Sequence, residues 1–185
     1  MEIKDYIKII DNTIKPETLE VIKKYAKDLK YEEAEIVTQQ EKKPYVENTT
    51  RKTLVKPLYN TSQSLTEIHW AHVFNKIFKE AITVYLDGFN IPKNTIAKLE
   101  GVQILKYEPG GFYTWHVDHG IHLNRKISCI YYLNDEYEGG EIQFAFPAKN
   151  ESFIVRPKEN RMIIWPSNFL YPHRVTPVEK GIRYS

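Results

Sequence analysis

The spacing of hydrophobic positions changes character near the middle of the chain. Ile7 to Ile10 is a short β-branched run, expected to form an edge strand. Pro16 then opens a helical pattern in which Leu19, Ile22, Tyr25, Ala26 and Leu29 fall on one face. A second helix is better marked. Ser64 and Glu67 stand at capping-box spacing, so each side chain is expected to satisfy a backbone N–H at the helix start. Behind them Trp70, Val73, Phe74, Ile77, Phe78, Ala81, Ile82 and Tyr85 form an apolar stripe that Gly88 ends. A stripe that wide is expected to pack on one face of a sheet. Between the helices, Glu41 to Asn60 is polar and without period, the pattern of a solvated loop or of a lid over a site. From Ala97 onward, short runs of Val, Ile, Tyr and Phe alternate with turn residues. These include Pro109-Gly110-Gly111, Gly139-Gly140, Pro147, Pro157, Pro166, Pro172 and Pro177. That texture predicts antiparallel β-structure, a sandwich or a barrel. Neither an internal repeat nor a low-complexity tract interrupts it.

Size and charge narrow the classes. A chain of 185 residues predicts one domain, with residues 1–96 as helical support and variable loop and residues 97–185 as the β core. Apolar runs such as Ile127 to Leu133 fall far short of the roughly 18–20 residues that cross a bilayer, so no membrane partner is expected. Glu2 and Asp5 interrupt the start of the chain, which predicts a cytoplasmic protein without a secretory signal. A net charge of +2 argues against nucleic acid. The lone Cys129 excludes an intrachain disulfide and a multi-thiolate zinc site, and it is expected to be a small buried hydrophobe. Aromatics at 13%, with thirteen tyrosines, suit short strands and a lined pocket.

The candidate chemistry lies in the β half. On a strand, residues two apart share a face, so His116 and Asp118 would present an imidazole and a carboxylate together. His173 follows Pro172, and Arg183 stands near a further strand. Two histidines and one aspartate leave three adjacent positions of an octahedral metal open. That set suits non-heme Fe(II) with a bidentate co-substrate and O2. The arginine adds a planar fork for a carboxylate. A zinc site of His116, His119 and His122 competes, but leaves Asp118, His173 and Arg183 unexplained. Either His119 or His122 could instead line a substrate entrance. His69 and His72 are expected to be structural or exposed, and Trp115 and Trp165 to pack in the core. Arg51, Lys52 and Lys56 are expected to form a solvated basic face, with an acidic substrate as the alternative.

The segment from Ala97 to the end resembles the Fe(II)/2-oxoglutarate-dependent oxygenases, in particular their prolyl 4-hydroxylase-like branch. The resemblance rests on Tyr107-Glu-Pro-Gly-Gly-Phe-Tyr, His116-Val-Asp118, Ser128-Cys-Ile-Tyr-Tyr-Leu-Asn134, Gly139-Gly-Glu-Ile, and Pro172-His173 through Gly181-Ile-Arg183-Tyr. It implies an α+β protein: a double-stranded β-helix, the cupin-like jelly roll, buttressed by N-terminal helices. It implies Fe(II) on His116, Asp118 and His173, with 2-oxoglutarate and O2 as co-substrates and ascorbate as a supporting reductant. Arg183 would hold the distal carboxylate of 2-oxoglutarate, Tyr132 would donate a hydrogen bond to it, and Tyr107 would lie near co-substrate and target. Tyr131 would face the opposite way, into the core. The implied activity is hydroxylation of an unactivated C–H bond, foremost in a peptidyl proline or another amino-acid side chain, with release of succinate and CO2. A protein or peptide is therefore the expected partner, with a small molecule second and the chain a monomer or homodimer. A nucleobase substrate with the same cofactors, or a non-catalytic cupin-like binding module, are the alternatives. In the resembling family a further strand follows the arginine, whereas Tyr184 and Ser185 follow here, so a short last strand or a shortened chain is expected.

Overall fold

The computed structural model describes residues 2–36, 44–96, 99–120, 123–146 and 150–185. Its chain order begins with β1 (Lys8–Asp11), α1 (Pro16–Asp28), β2 (Glu32–Glu33), β3 (Arg51–Lys52), β4 (Leu54–Leu58) and α2 (Leu65–Gly88). The β-rich part follows with β5 (Val102–Tyr107), β6 (Phe112–His116), β7 (Ile127–Tyr132), β8 (Glu138–Gly139) and β9 (Ile142–Phe146). It continues through β10 (Glu151–Val155), β11 (Arg161–Pro166), β12 (His173–Val175), β13 (Val178–Lys180) and β14 (Arg183–Tyr184). Two compact units divide the chain. Met1–Val55 joins Leu105–Ser185 in one, and Lys56–Ile104 forms the other. The first 55 residues therefore share a unit with most of the β-rich part.

In the first unit, two antiparallel sheets enclose a common core. One has the order β1-β11-β7, with β1 at its edge as expected from Ile7 to Ile10. The Leu133 N–H donates to the Tyr184 carbonyl at 3.0 Å, so the end of β7 meets β14, which pairs with β5. The other sheet has the order β10-β9-β12-β6-β3. Ile142, Phe144 and Phe146 of β9 and Val155 of β10 face Tyr132 of β7 and Ile163 and Trp165 of β11 in one buried cluster. This is a sandwich, one of the two antiparallel architectures the texture predicts, and it agrees with the jelly roll that the resemblance implies.

α1 starts at Pro16, whose missing N–H costs nothing there, and buries Leu19, Ile22 and Ala26 as predicted. The turn before β11 holds the N-terminal segment through Asn160, which adopts φ 61°. Its side-chain oxygen accepts from the Ile14 N–H (3.0 Å) and the Tyr131 hydroxyl (2.8 Å), and its amide donates to the Ile14 carbonyl (2.7 Å). Tyr131 thus faces away from Tyr132, as the period of a strand requires.

In the second unit, α2 runs over the predicted span and buries Trp70, Phe74, Ile82 and Tyr85 of the stripe. Half of the capping box forms. The Ser64 hydroxyl accepts from the Glu67 N–H at 3.3 Å. Glu67, however, accepts from the Tyr59 N–H (3.1 Å) and pairs with Lys56 (3.1 Å). An ammonium is a stronger partner for that carboxylate than the cap N–H. Glu41 to Asn60 is also corrected: its described part holds β3 and the whole of β4. β3 escaped the pattern because two residues carry no period, and Lys56 and Pro57 broke the signal of β4.

Candidate active site

His116 and His173 meet because their strands pair, β6 with β12, and the two residues stand directly across the ladder. Each imidazole sets its Nδ1 against a backbone carbonyl, that of Thr114 at 2.8 Å for His116 and that of Tyr171 at 3.0 Å for His173. A carbonyl only accepts, so both Nδ1 atoms carry the proton and both Nε2 lone pairs are free. Asp118, two residues beyond His116, brings its Oδ1 to 3.7 Å from His116 Nε2 and its Oδ2 to 3.6 Å from His173 Nε2. The candidate ligand atoms of the three residues lie within 4.8 Å of one another. Phe144 and Trp165 wall the site, with Trp165 edge-on to His173 at 5.1 Å between centroids.

The electrostatics suit a cation. Burial, then the neighbouring His173, pushes His116 down to about 4, so its imidazole is neutral at physiological pH. Burial alone would raise the Asp118 carboxyl. The electrostatic coupling to His173 and His116, the Ser128 hydroxyl bond and the Arg125 charge outweigh it and hold that carboxyl below its ordinary value. Two imidazoles, each with its Nε2 lone pair free, and one carboxylate form the donor set that imidazole- and oxygen-binding iron requires.

Two serines complete the setting of Asp118. The Ser128 hydroxyl donates to Asp118 Oδ2 at 2.6 Å, and the Ser167 hydroxyl stands 2.8 Å from that of Ser128. Ser128 has one hydroxyl proton and spends it on Asp118, so Ser167 is the donor in the second bond. Sequence reasoning missed both serines, although the strand period contained a signal. Ser128, Ile130 and Tyr132 lie at alternate positions of β7 and therefore share its inner face.

Tyr113 was missed for a different reason. Its ring stacks on His116 with centroids 3.6 Å apart and planes 17° from parallel. Three residues apart on a regular strand, the two side chains would point to opposite faces. The register of β12 slips between His173↔His116 and Val175↔Tyr113, and that bulge turns both inward.

Arg183, wholly buried, forms the second part of the site. It lies across from Tyr107 in the β14–β5 ladder, and its guanidinium sits 4.7 Å from the Tyr107 ring centroid and 5.0 Å from that of Tyr132. One Nη1 hydrogen reaches the Gly140 carbonyl at 2.9 Å, and Nη2 reaches the Ser185 hydroxyl at 3.4 Å. Its Nε–H has no partner, nor have the buried hydroxyls of Tyr132 and Tyr137. Burial pushes both phenols up, so they remain neutral donors. Among the described residues no carboxylate lies within 4.0 Å of this buried cation. Three unspent donors around an uncompensated guanidinium fit a carboxylate supplied by a ligand. Gly140, at φ 68°, keeps the space open, since a Cβ there would lie 3.4 Å from Arg183 Cδ and 3.0 Å from Val178. Tyr132 shares a buried cluster with Phe144 and Trp165, the residues packed on His173, so both parts of the site occupy one core.

The remaining candidates fall outside. His119 turns its Nδ1 to the Arg125 carbonyl at 2.9 Å, while His122 lies outside the described residues. His69 and His72 are exposed on α2. Trp165 is core, but Trp115 is corrected: it is 44% exposed, with the Arg174 guanidinium over its ring at 4.9 Å. Cys129 has its thiol pushed up to about 12 by burial and takes no part in the site.

Comparison with known proteins fits this geometry. Residues 102–185 match the model of the 2OG-Fe(II) oxygenase superfamily. A PKHD-type hydroxylase of Synechococcus sp. (strain CC9902) is 33% identical over 92 residues, 48% of this chain and 40% of that protein. The chain thus spans less than half the length of the curated relatives it first matches. A prolyl-4-hydroxylase of Pseudomonas putida shares the fold, with a TM-score of 0.69, 16% identity, and coverage of 97% of this chain and 89% of that one. The prolyl hydroxylase of Trichoplax adhaerens, solved with a hypoxia inducible factor peptide fragment, does so with a TM-score of 0.67 and 17% identity. It covers 97% of this chain and 80% of that one. Residues 102–185, which carry the His116–Asp118–His173 cluster, thus resemble the 2OG-Fe(II) oxygenase superfamily in sequence, and the chain shares the fold of these solved prolyl hydroxylases.

Proposed function

We propose that this chain is an Fe(II)- and 2-oxoglutarate-dependent dioxygenase that hydroxylates an amino-acid side chain in a peptide, proline foremost. The observation that carries the proposal is the buried, uncompensated Arg183, with its own Nε–H and the Tyr132 and Tyr137 hydroxyls unspent beside a His-Asp-His cluster. A structural arginine would have a carboxylate of its own chain, and a simple metal-binding module would have no use for such a cradle. The peptide preference draws on the relatives, among which are prolyl hydroxylases, one solved with a peptide.

His116, Asp118 and His173 would hold the iron, and Arg183 would hold the far carboxylate of 2-oxoglutarate. Iron, 2-oxoglutarate and O2, when bound, supply the oxidation of a C–H bond to an alcohol with release of succinate and CO2. The chain supplies the rest. The Thr114 and Tyr171 carbonyls fix the tautomer and orientation of the two histidines, so both arrive with Nε2 free. Ser128 occupies one oxygen of Asp118 and leaves the other available. Tyr132 adds a neutral hydroxyl donor to the Arg183 fork, and Tyr107 supports the guanidinium with its ring. Phe144 and Trp165 exclude water from the buried side.

The test is succinate production from 2-oxoglutarate with Fe(II), ascorbate and proline-containing peptides, together with titration of metal and 2-oxoglutarate. His116→Ala is expected to abolish metal binding and the oxygen added to the peptide, and Arg183→Met to abolish 2-oxoglutarate binding. A native-like protein that binds neither iron nor 2-oxoglutarate refutes the proposal.

A further inference from the structure

Arg51 is a second cation without a counter-ion among the described residues, beside the His116–Asp118–His173 cluster. The ladder of β3 with β6 places it directly across from Tyr113. Its guanidinium carbon lies 4.9 Å from the Tyr113 ring centroid, and that ring is the one stacked at 3.6 Å on His116. One aromatic ring therefore separates this charge from a candidate metal ligand. A guanidinium has five N–H donors. The hydrogen bond found for this one among the described residues runs from Nη1 to the Glu35 carbonyl, at 3.3 Å. The Nε–H is buried and has no partner. No carboxylate of the described residues pairs with it. Glu35 contributes only its carbonyl, and the Glu47 carboxylate is occupied by the Thr49 N–H and hydroxyl.

The described residues give this side chain no stabilising ion pair, yet the strand ladder and the Tyr113 ring hold it in one place. A charge so placed, with donors unspent, selects an anionic ligand. Resting on the reading of the cluster as an iron site, we propose that Arg51 is a specificity-determining residue. It takes the carboxylate of an aspartate or glutamate flanking the residue to be hydroxylated, so the preferred substrate is an acidic peptide segment. An extended peptide advances about 3.3 Å per residue, which puts the acidic residue within about three positions of the target. Arg183 is wholly buried and assigned to the co-substrate, so the two guanidiniums divide two carboxylates between them.

The experiment uses fluorescently labelled, proline-centred hexapeptide pools whose flanking positions carry Glu, Gln or Lys. They are titrated onto the Co(II)-substituted protein loaded with 2-oxoglutarate. The Glu pool is expected to bind about 10- to 100-fold tighter than the Lys pool, the range of one charge-assisted hydrogen-bonded contact. That preference shrinks as salt rises. Arg51→Gln removes it, and Arg51→Glu inverts it towards the Lys pool. A preference that survives Arg51→Glu, a wild-type protein without charge preference, or one that binds none of the pools overturns the proposal. So does a wild-type preference insensitive to salt, a measurement that needs no variant to fold. Metal and 2-oxoglutarate are titrated separately on the same samples. Failure there refutes the iron-site reading itself, whereas intact cofactor binding without charge selection refutes only the role of Arg51.

Discussion

Ser128→Ala isolates what the protein contributes to the metal cluster beyond its three ligands. The substitution deletes the hydroxyl that donates to Asp118 Oδ2 at 2.6 Å and ends the Ser167–Ser128 link at 2.8 Å. The Asp118 side chain is only 18% exposed, so water replaces the lost donor poorly. A hydrogen bond to a charged group is worth about 1.5–3 kcal/mol. At roughly 1.4 kcal/mol per decade that range is about 10- to 100-fold in affinity, which agrees with the usual effect of removing a partner that orients a metal ligand. Calorimetric titration of Fe(II) or Co(II) into the metal-free protein should therefore show a weakening of that size. Ser128→Thr keeps the hydroxyl and should recover most of it. Ser167→Ala spares the bond to Asp118 and should cost less than Ser128→Ala. Metal affinity within twofold of wild type in a Ser128→Ala protein of native melting temperature would falsify the positioning role. So would an equal loss in Ser128→Thr.

Three further expectations follow from the same geometry. Tyr132→Phe removes a buried hydroxyl that has no partner, so the cofactor-free protein should melt at or slightly above the wild-type temperature, while 2-oxoglutarate binds about tenfold more weakly by titration; lower stability with unchanged affinity contradicts the assignment. Gly139→Ala should destabilise by more than about 2 kcal/mol in thermal melts, because at φ 75° the added Cβ would lie 2.2 Å from the Pro177 carbonyl oxygen. His116 is held at about 4 against an ordinary 6.5, so the unfolded chain binds its proton first as pH falls. That stability is complete above about 6.5 and is lost progressively down to about 4. In the metal-free protein His116→Gln should flatten the pH dependence of melting across that window, and an unchanged slope refutes the shift.

The residues legible in the sequence were those whose role is expressed by period and type. The apolar spacing of α1 and α2 required only the geometry of regular elements, and His116 ends the strand β6, whereas Asp118 lies two residues beyond it. Arg183 was legible through a resemblance to a family, but its buried, unpaired state was not. Two placements stayed hidden: that of Tyr113, and that of Arg51, which the sequence offered only as one of three basic residues on a solvated face or facing an acidic substrate. Tyr113 needed the bulge opposite β12, a property of two strands together that neither strand shows alone. Arg51 needed β3, two residues in a polar stretch that become a strand only because β6 offers an edge to pair with. The candidate metal ligands are thus legible one by one from residue type and spacing, whereas Tyr113 and Arg51 depend on which strands become neighbours. Such neighbours can change while His116, Asp118 and His173 stay in place. Under the proposed function, a core of this kind would accept a different target when a short edge strand such as β3 delivers a residue other than arginine beside Tyr113.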